Sequence, residues 1–153
     1  MLIRDATPDD ALALEAIHRR SSDVWEDSRA ALAAHPDAIA PPHRAIAEGR
    51  ARVAVDEAGC CVAFSVVLPV DPHGRCELDD LFVEPDQMRR GIGRALVDDV
   101  AARAATAGAT HIDVIANPNA LGFYLRLGFE VTGQAATRFG SAPRMTLQLS
   151  GRG

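Results

Sequence analysis

Short runs rich in Val, Ile and Phe alternate along this chain with longer stretches in which apolar residues return every three or four positions, and Gly, Pro or Asp marks most of the switches. Leu2 to Arg4 reads as a first strand. Thr7-Pro8-Asp9-Asp10 then offers an N-cap with proline at the first helical position, and a helix is predicted to about Arg20. Leu12, Ile17 and their alanine neighbours give that helix its apolar spacing, and Arg19 and Arg20 complement the negative end of its dipole. The text from Ser21 to Arg50 is less regular, with Trp25, a helix over Asp27 to Ala34, the breaker Pro41-Pro42 and a short helix ending near Gly49. Ala51 to Asp56 and Cys61 to Leu68 read as strands two and three around the hairpin turn Glu57-Ala58-Gly59. Arg75 to Val83 is the fourth strand, stopped by Glu84-Pro85 because proline cannot continue a ladder. A long helix follows from about Gly91 to Ala107, buried along Ile92, Leu96, Val100 and Ala104 and stopped at Gly108. Thr110 to Ala116 returns as a strand, Asn117-Pro118 starts a short helix ending at Gly128, and Phe129 to Thr137 and Arg144 to Leu149 complete the sheet.

With 153 residues, 48% of them hydrophobic and only 5% aromatic, the chain is expected to form one compact α/β domain spanning 1–153, its core built from Leu, Val, Ile and Ala. No apolar run approaches the ~20 residues that span a bilayer, and Met1 to Asp5 lacks a signal-peptide core, so a soluble, cytoplasmic protein without membrane association is expected. A formal charge of -5 argues against a nucleic-acid partner, whose phosphates demand a basic face. Cys60, Cys61 and Cys76 are odd in number and read as reduced thiols. His18, His35, His43, His73 and His111 are scattered singly, so no metal is implied.

The most informative stretch is Val83-Glu84-Pro85-Asp86-Gln87-Met88-Arg89-Arg90-Gly91-Ile92-Gly93-Arg94-Ala95-Leu96, in which a strand ends, a turn forms and a helix begins. Gly91 and Gly93 let an anion approach the backbone, and the first helical turn leaves amides without internal partners. Those amides and the positive end of the dipole suit a pyrophosphate, with Arg89, Arg90 and Arg94 adding charge at the rim. Taken alone, Gly-x-Gly is also what a helix packed closely on a sheet would carry. The run lacks the Lys-Ser/Thr of a Walker loop and a complete dinucleotide fingerprint.

Together with Leu81-Phe82-Val83-Glu84-Pro85, this turn resembles motif A of the GCN5-related N-acetyltransferase (GNAT) superfamily, Gln/Arg-x-x-Gly-x-Gly/Ala after a strand ending Leu-x-Val-x-Pro. Met88 stands where the family has Gln or Arg, with Gln87 beside it. Downstream, Asn117-Pro118-Asn119-Ala120-Leu121-Gly122-Phe123-Tyr124-Leu125-Arg126-Leu127-Gly128-Phe129 resembles motif B, Asn-x-x-Ala-x-x-Phe-Tyr-x-x-x-Gly-Phe, at every named position. The likeness is close from Glu77 to Phe129, and the N-terminal half matches in the order of elements. It implies an α/β (α+β) fold: one GNAT-like domain with a mixed, mostly antiparallel sheet of six to seven strands, flanked by about four helices and splayed between the fourth and fifth strands. It also implies acetyl-CoA as cosubstrate, held by Leu81, Phe82, Val83, Met88, Arg89, Arg90, Gly91, Ile92, Gly93, Arg94, Asn117 and Tyr124. Tyr124 becomes the acid that protonates the departing thiolate. Asn117 becomes a contact to the pantetheine arm, although capping the short helix explains it equally well.

Side chains alternate along a strand, which puts Glu77 and Asp79 on one face and Asp80 on the other. A solvated strand end accounts for such acids, whereas an acid away from water needs a partner or a task. The resemblance makes Glu77 the first candidate for general base and Asp79 the second. An amine of pKa near 10 arrives protonated, so the base must take its proton before nitrogen attacks the thioester. The function implied is transfer of acetyl to a primary amine of a small molecule or peptide within a ternary complex, with Cys76 structural. The alternative is a CoA-binding sensor without catalysis. The acceptor is set by Ser21 to Arg50 and by the loops Pro69 to Gly74 and Arg138 to Pro143. Trp25 and Glu26 are candidate pocket residues, although packing of the first helix on the sheet is the simpler reading of Trp25. A homodimer is left open.

Overall fold

The computed structural model describes residues 1–137 and 140–149. Its seven strands are β1 (Leu2–Asp5), β2 (Ala51–Val55), β3 (Cys61–Val67), β4 (Arg75–Val83), β5 (His111–Ile115), β6 (Glu130–Thr137) and β7 (Gly140–Gln148). They form one sheet in the order β1-β2-β3-β4-β5-β7-β6. The β4/β5 pair is parallel, and the pairs β1/β2, β2/β3, β5/β7 and β6/β7 are antiparallel. Five α-helices lie among the described residues: α1 (Ala11–Asp23), α2 (Glu26–Ala34), α3 (His43–Ala47), α4 (Ile92–Thr106) and α5 (Leu121–Arg126). The mixed, mostly antiparallel sheet expected from the sequence is therefore present. No helix among the described residues is long and apolar enough to cross a membrane.

The chain divides into two compact units, Met1–Val66 with Asp80–Val97 and Val67–Asp79 with Asp98–Gly153. In the first, one cluster gathers Leu14, Ile17, Ile46, Val53, Phe64 and Val66, with Phe82 against it; a second gathers Ala54, Val62, Ala63, Ile92 and Leu96, with Leu81 and Val83 against it. Fully burying an aliphatic or aromatic side chain of this size contributes about 1.5–3 kcal/mol. The buried stripe of α1 is Ala11, Leu14, Ile17 and Ser21, while Leu12 is 71% exposed. Helical geometry gives the reason. Leu12 and Ile17 are five steps apart, which turns them about 140° from one another, whereas three steps bring Leu14 within about 60° of Ile17.

The entry to α1 matches its sequence signature. Thr7 precedes a turn of 3-10 helix at Pro8–Asp10, and its N–H donates to Asp10 Oδ2 at 2.7 Å. Arg4 closes the same carboxylate with two N–H groups at 2.8 and 3.2 Å. The stop of α4 is likewise local. Ala109 N–H reaches Ala104 O at 2.9 Å and Gly108 N–H reaches Ala105 O at 3.1 Å, the pair of bonds that defines a Schellman closure.

β4 departs from a plain strand in two ways. Its parallel ladder with β5 runs from Arg75↔His111 to Leu78↔Val114, and β4 then continues to Val83, the stretch in which the family resemblance implies a splay. Against β3, Leu68 N–H bonds Glu77 O and Glu84 N–H bonds Val62 O, so seven steps of β4 face six of β3. One extra residue is accommodated as a bulge, and strict alternation between Glu77 and Val83 fails at one step.

One expectation needs correction. The segment up to Pro143 reads as a loop because it is rich in Gly, Ser and Pro, yet β7 starts at Gly140 and Gln134↔Pro143, Ala135↔Ala142, Ala136↔Ser141 and Thr137↔Gly140 are paired. Pro143 is tolerated because the groups of a strand residue point to one side. Its carbonyl accepts from Ala116 N–H at 2.9 Å, so its missing donor faces the side of β5, whose ladder has already ended at Ile115↔Arg144. Arg138 and Phe139, also in the expected loop, lie outside the described residues.

Candidate active site

β4 delivers the chain to Glu84, a 3-10 turn spans Pro85–Gln87, and α4 begins at Ile92. Arg20 at the end of α1 grips Glu84 with both arms of its guanidinium, at 2.7 and 2.5 Å, which ties this entry to the helix packed on the sheet. In the turn, Arg89 (φ 65) and Gly91 (φ 80) both adopt the left-handed conformation. For Gly91 that is ordinary. For Arg89 it costs on the order of 1 kcal/mol, the kind of strain that persists where the backbone must aim its N–H groups. Among the described residues the N–H groups of Arg89, Arg90, Gly91, Ile92, Gly93 and Arg94 have no acceptor, and the first helical bond comes from Ala95 to Gly91 O at 3.0 Å. A row of amides without acceptors at the positive end of a helix suits an anion. Arg89 and Arg94 are exposed and have no side-chain partner among the described residues; Arg90 touches Gln87 Oε1 at 3.5 Å.

Asn117 caps the next turn as its position suggested, with Oδ1 accepting from Asn119 N–H at 2.9 Å. α5 carries Tyr124, which is buried, with its ring edge-on to Phe129 at 5.2 Å and to Phe123 at 5.0 Å. The spacing Tyr-x-x-x-Gly-Phe has a physical cause here. Phe129 N–H bonds Tyr124 O and Gly128 N–H bonds Leu125 O, both at 3.1 Å, so Tyr124 and Phe129 are the two residues that a Schellman closure brings into apolar contact. The turn that ends the helix thus also fixes the phenol. Gly128 sits at φ 96, and a Cβ there would meet Leu147 Cδ1 at an ordinary 3.6 Å. The cost of Gly128→Ala is therefore conformational, and a loss of about 1–2 kcal/mol is expected in urea denaturation.

Of the strand acids, Glu77 is half-buried and accepts from Arg144 Nη1 at 3.3 Å, with no other side-chain partner among the described residues. Asp79 is exposed and has no side-chain partner among the described residues. The same Arg144 nitrogen lies 3.5 Å from Asp113 Oδ2. Asp113 is buried and receives Thr146 Oγ1 at 2.7 Å. Cys76, next to Glu77, is buried. Burial first, and the Glu77 charge second, push its thiol above the ordinary range, so it stays protonated at neutral pH and suits a structural role.

A family model described as the acetyltransferase (GNAT) family matches residues 13–129. The chain belongs to this family. No curated protein matches it. Among solved structures, a GCN5-related N-acetyltransferase from Rhodopseudomonas palustris is similar at 24% identity and a TM-score of 0.80, over 96% of this chain and 94% of that one. The PaiA N-acetyltransferase from Thermoplasma acidophilum, solved in complex with coenzyme A, gives 17% identity and 0.76, over 96% and 98%. Nourseothricin acetyltransferase gives 26% identity and 0.60 over 65% of this chain, which spans 64% of the length of that protein.

In this GNAT chain the remaining predicted residues fall as follows. Leu81, Phe82 and Val83 are half-buried on β4. Trp25 precedes α2 and is 39% exposed. Glu26 is the first residue of α2, and its side chain lies outside the described residues. Three features went unread in the sequence. Asp113 was visible as a lone carboxylate in the apolar run Ile112 to Ile115, and Arg144 as a cation at a strand start. His18 is stacked on Phe82 at 3.8 Å with its pKa lowered to about 4, by burial first and by Arg19 second, so it is neutral at pH 7. A cleft of about 460 Å³ bordered by Arg20, Asp56, Glu84 and Gln87 contains none of the predicted contacts.

Proposed function

We propose that this chain works as a single acyl-CoA N-acyltransferase domain, transferring the acetyl group of acetyl-CoA to a primary amine of a small molecule or peptide. The observation that carries this reading is the run of six N–H groups from Arg89 to Arg94 without an acceptor among the described residues, which fits a diphosphate and lies in the turn that resembles motif A. In this reading Met88 to Arg94 hold the pyrophosphate, with Arg89 and Arg94 at its rim. Leu81, Phe82 and Val83 are further cofactor contacts, and Asn117 is a contact to the pantetheine arm. Glu77 accepts the proton of the incoming ammonium, directly or through water, with Asp79 as the second candidate. The freed nitrogen attacks the thioester carbonyl, whose developing charge is met by the Val83 N–H, and Tyr124 protonates the sulfur as the C–S bond breaks. Transfer is direct within a ternary complex. Asp79 leaves an unpaired negative charge near the proposed base, which favours a cationic acceptor. A cytoplasmic location, where acetyl-CoA is made, completes the proposal.

Titration calorimetry of the purified protein with acetyl-CoA tests it. Saturable one-to-one binding is expected, and Gly91→Val should weaken it about 5- to 30-fold, because a β-branched residue resists the left-handed conformation by about 1–2 kcal/mol. No heat from acetyl-CoA or from free coenzyme A overturns the reading.

A further inference from the structure

The geometry points to Arg144 as the positioning residue of the base, a guanidinium reaching from β7 that sets one oxygen of Glu77 and leaves the other for the acceptor proton. This rests on the reading of Glu77 given above. Sheet order creates the arrangement. Glu77 faces Asp113 across the β4/β5 ladder, and Asp113 faces Thr146 across the β5/β7 ladder. Two carboxylates directly opposite one another on a sheet repel. Arg144, two residues before Thr146 on β7, places Nη1 3.3 Å from Glu77 Oε1 and 3.5 Å from Asp113 Oδ2. It answers that repulsion with one group shared between them.

The sharing is unequal in what it can do. Asp113 is anchored on its far side, where Thr146 Oγ1 donates to Oδ1 at 2.7 Å, and Thr146 in turn meets Thr132 Oγ1 at 3.0 Å. Arg75 adds a longer contact to Asp113 at 3.8 Å. Asp113 is the fixed end of the pair, with a side chain 9% exposed, and Glu77 at 16% is the end that meets solvent. The guanidinium is held from behind by Asp113 and directs Glu77 in front. Glu77 Oε2 has no partner among the described residues, which is the state a proton acceptor needs. Mere charge neutralisation would not need an anchor reaching to β6. Preorganisation of an acid–base group by a hydrogen-bonded support is what such an anchor supplies.

The test is a double-mutant cycle read by coenzyme A release from acetyl-CoA, with kanamycin, spermidine and a lysine peptide as amine probes and the fastest of them carried forward. Arg144→Gln is expected to lower kcat about 10- to 30-fold and to leave the Kd of acetyl-CoA unchanged within twofold. Arg144→Lys, which keeps a charge without the planar fork, should recover part of the loss. In a Glu77→Gln background, Arg144→Gln should change kcat by less than twofold, because the group it positions is gone. Thr146→Val, which loosens Asp113 without touching Arg144, gives an independent variant and should cost a few-fold in kcat. The inference is overturned if Arg144→Gln keeps wild-type kcat, or if its loss multiplies with that of Glu77→Gln. Those outcomes leave acetyl transfer standing. If Glu77→Gln itself keeps full kcat, the base assignment fails and this inference with it. If the wild type releases no coenzyme A with any probe, transferase activity itself fails.

Discussion

Glu77→Gln should lower kcat by roughly two to three orders of magnitude while acetyl-CoA continues to bind, because a general base is typically worth 10²- to 10⁴-fold. An alkylamine of pKa near 10.4 is neutral in only about one molecule in 2,500 at pH 7. The enzyme must therefore remove a proton that water removes poorly. Gln is close to Glu in shape and can still accept from Arg144 through its carbonyl oxygen, so the change tests proton transfer more than packing. If Asp79→Asn causes the loss and Glu77→Gln does not, the base lies two residues further along β4. Tyr124→Phe, assayed in parallel, retains the edge-on ring contact with Phe129 and loses the hydroxyl. A fall of about 10- to 100-fold in kcat with an unchanged Kd for acetyl-CoA is expected of the acid. Wild-type turnover by Tyr124→Phe sinks that role.

The largest stability effect is expected at Asp10. Its carboxylate is 8% exposed and accepts two N–H groups of Arg4 and the N–H and hydroxyl of Thr7, at 2.7 to 3.2 Å, with the Cys61 thiol at 3.5 Å. Asp10→Ala removes this acceptor from under all of them, including the capping-box bond from Thr7 N–H in the turn that leads into α1. A loss of about 2–4 kcal/mol in urea denaturation at pH 7 combines the cap with the broken ion pair. Hydrogen bonding from Arg4 is the chief cause that holds the Asp10 carboxyl well below the usual carboxylate range, with the Thr7 N–H in the same direction and burial opposing both. A depressed folded-state pKa means that the stabilisation is present above the unfolded value near 3.9 and is lost as pH falls below it. Wild type and Asp10→Ala should therefore differ most at neutral pH and converge below about pH 4. His18 acts in a separate window. Its pKa of about 4 lies below the ordinary 6.5, so the unfolded chain binds the proton first and stability declines as pH falls from 6.5 towards 4. That decline is common to both proteins, and a constant difference between their curves from pH 7 to 2 would contradict the assignment to Asp10.

How much of this was legible depends on how far apart in sequence the interacting groups lie. The cap at Thr7, the stops at Gly108 and Gly128, and the turn between β4 and α4 are made by residues within about six positions, and residue type alone indicates them. The burial of Leu14 in place of Leu12 was also available, since it needs only the rotation per residue of a helix. Pro143 misled because its tolerance depends on where β5 ends.

By itself the sequence determined the succession of strands and helices, the glycine turn that leads into α4 and the stops at Gly108 and Gly128, because backbone hydrogen bonds between near neighbours follow from glycine, proline and capping residues. Tertiary structure alone decided that Glu77 meets Arg144, 67 positions away, and that both meet Asp113. Cross-strand neighbours are set by sheet order and register. In this sheet β7 inserts between β5 and β6, and a bulge in β4 shifts its count by one, and neither is written in the spacing of any single strand.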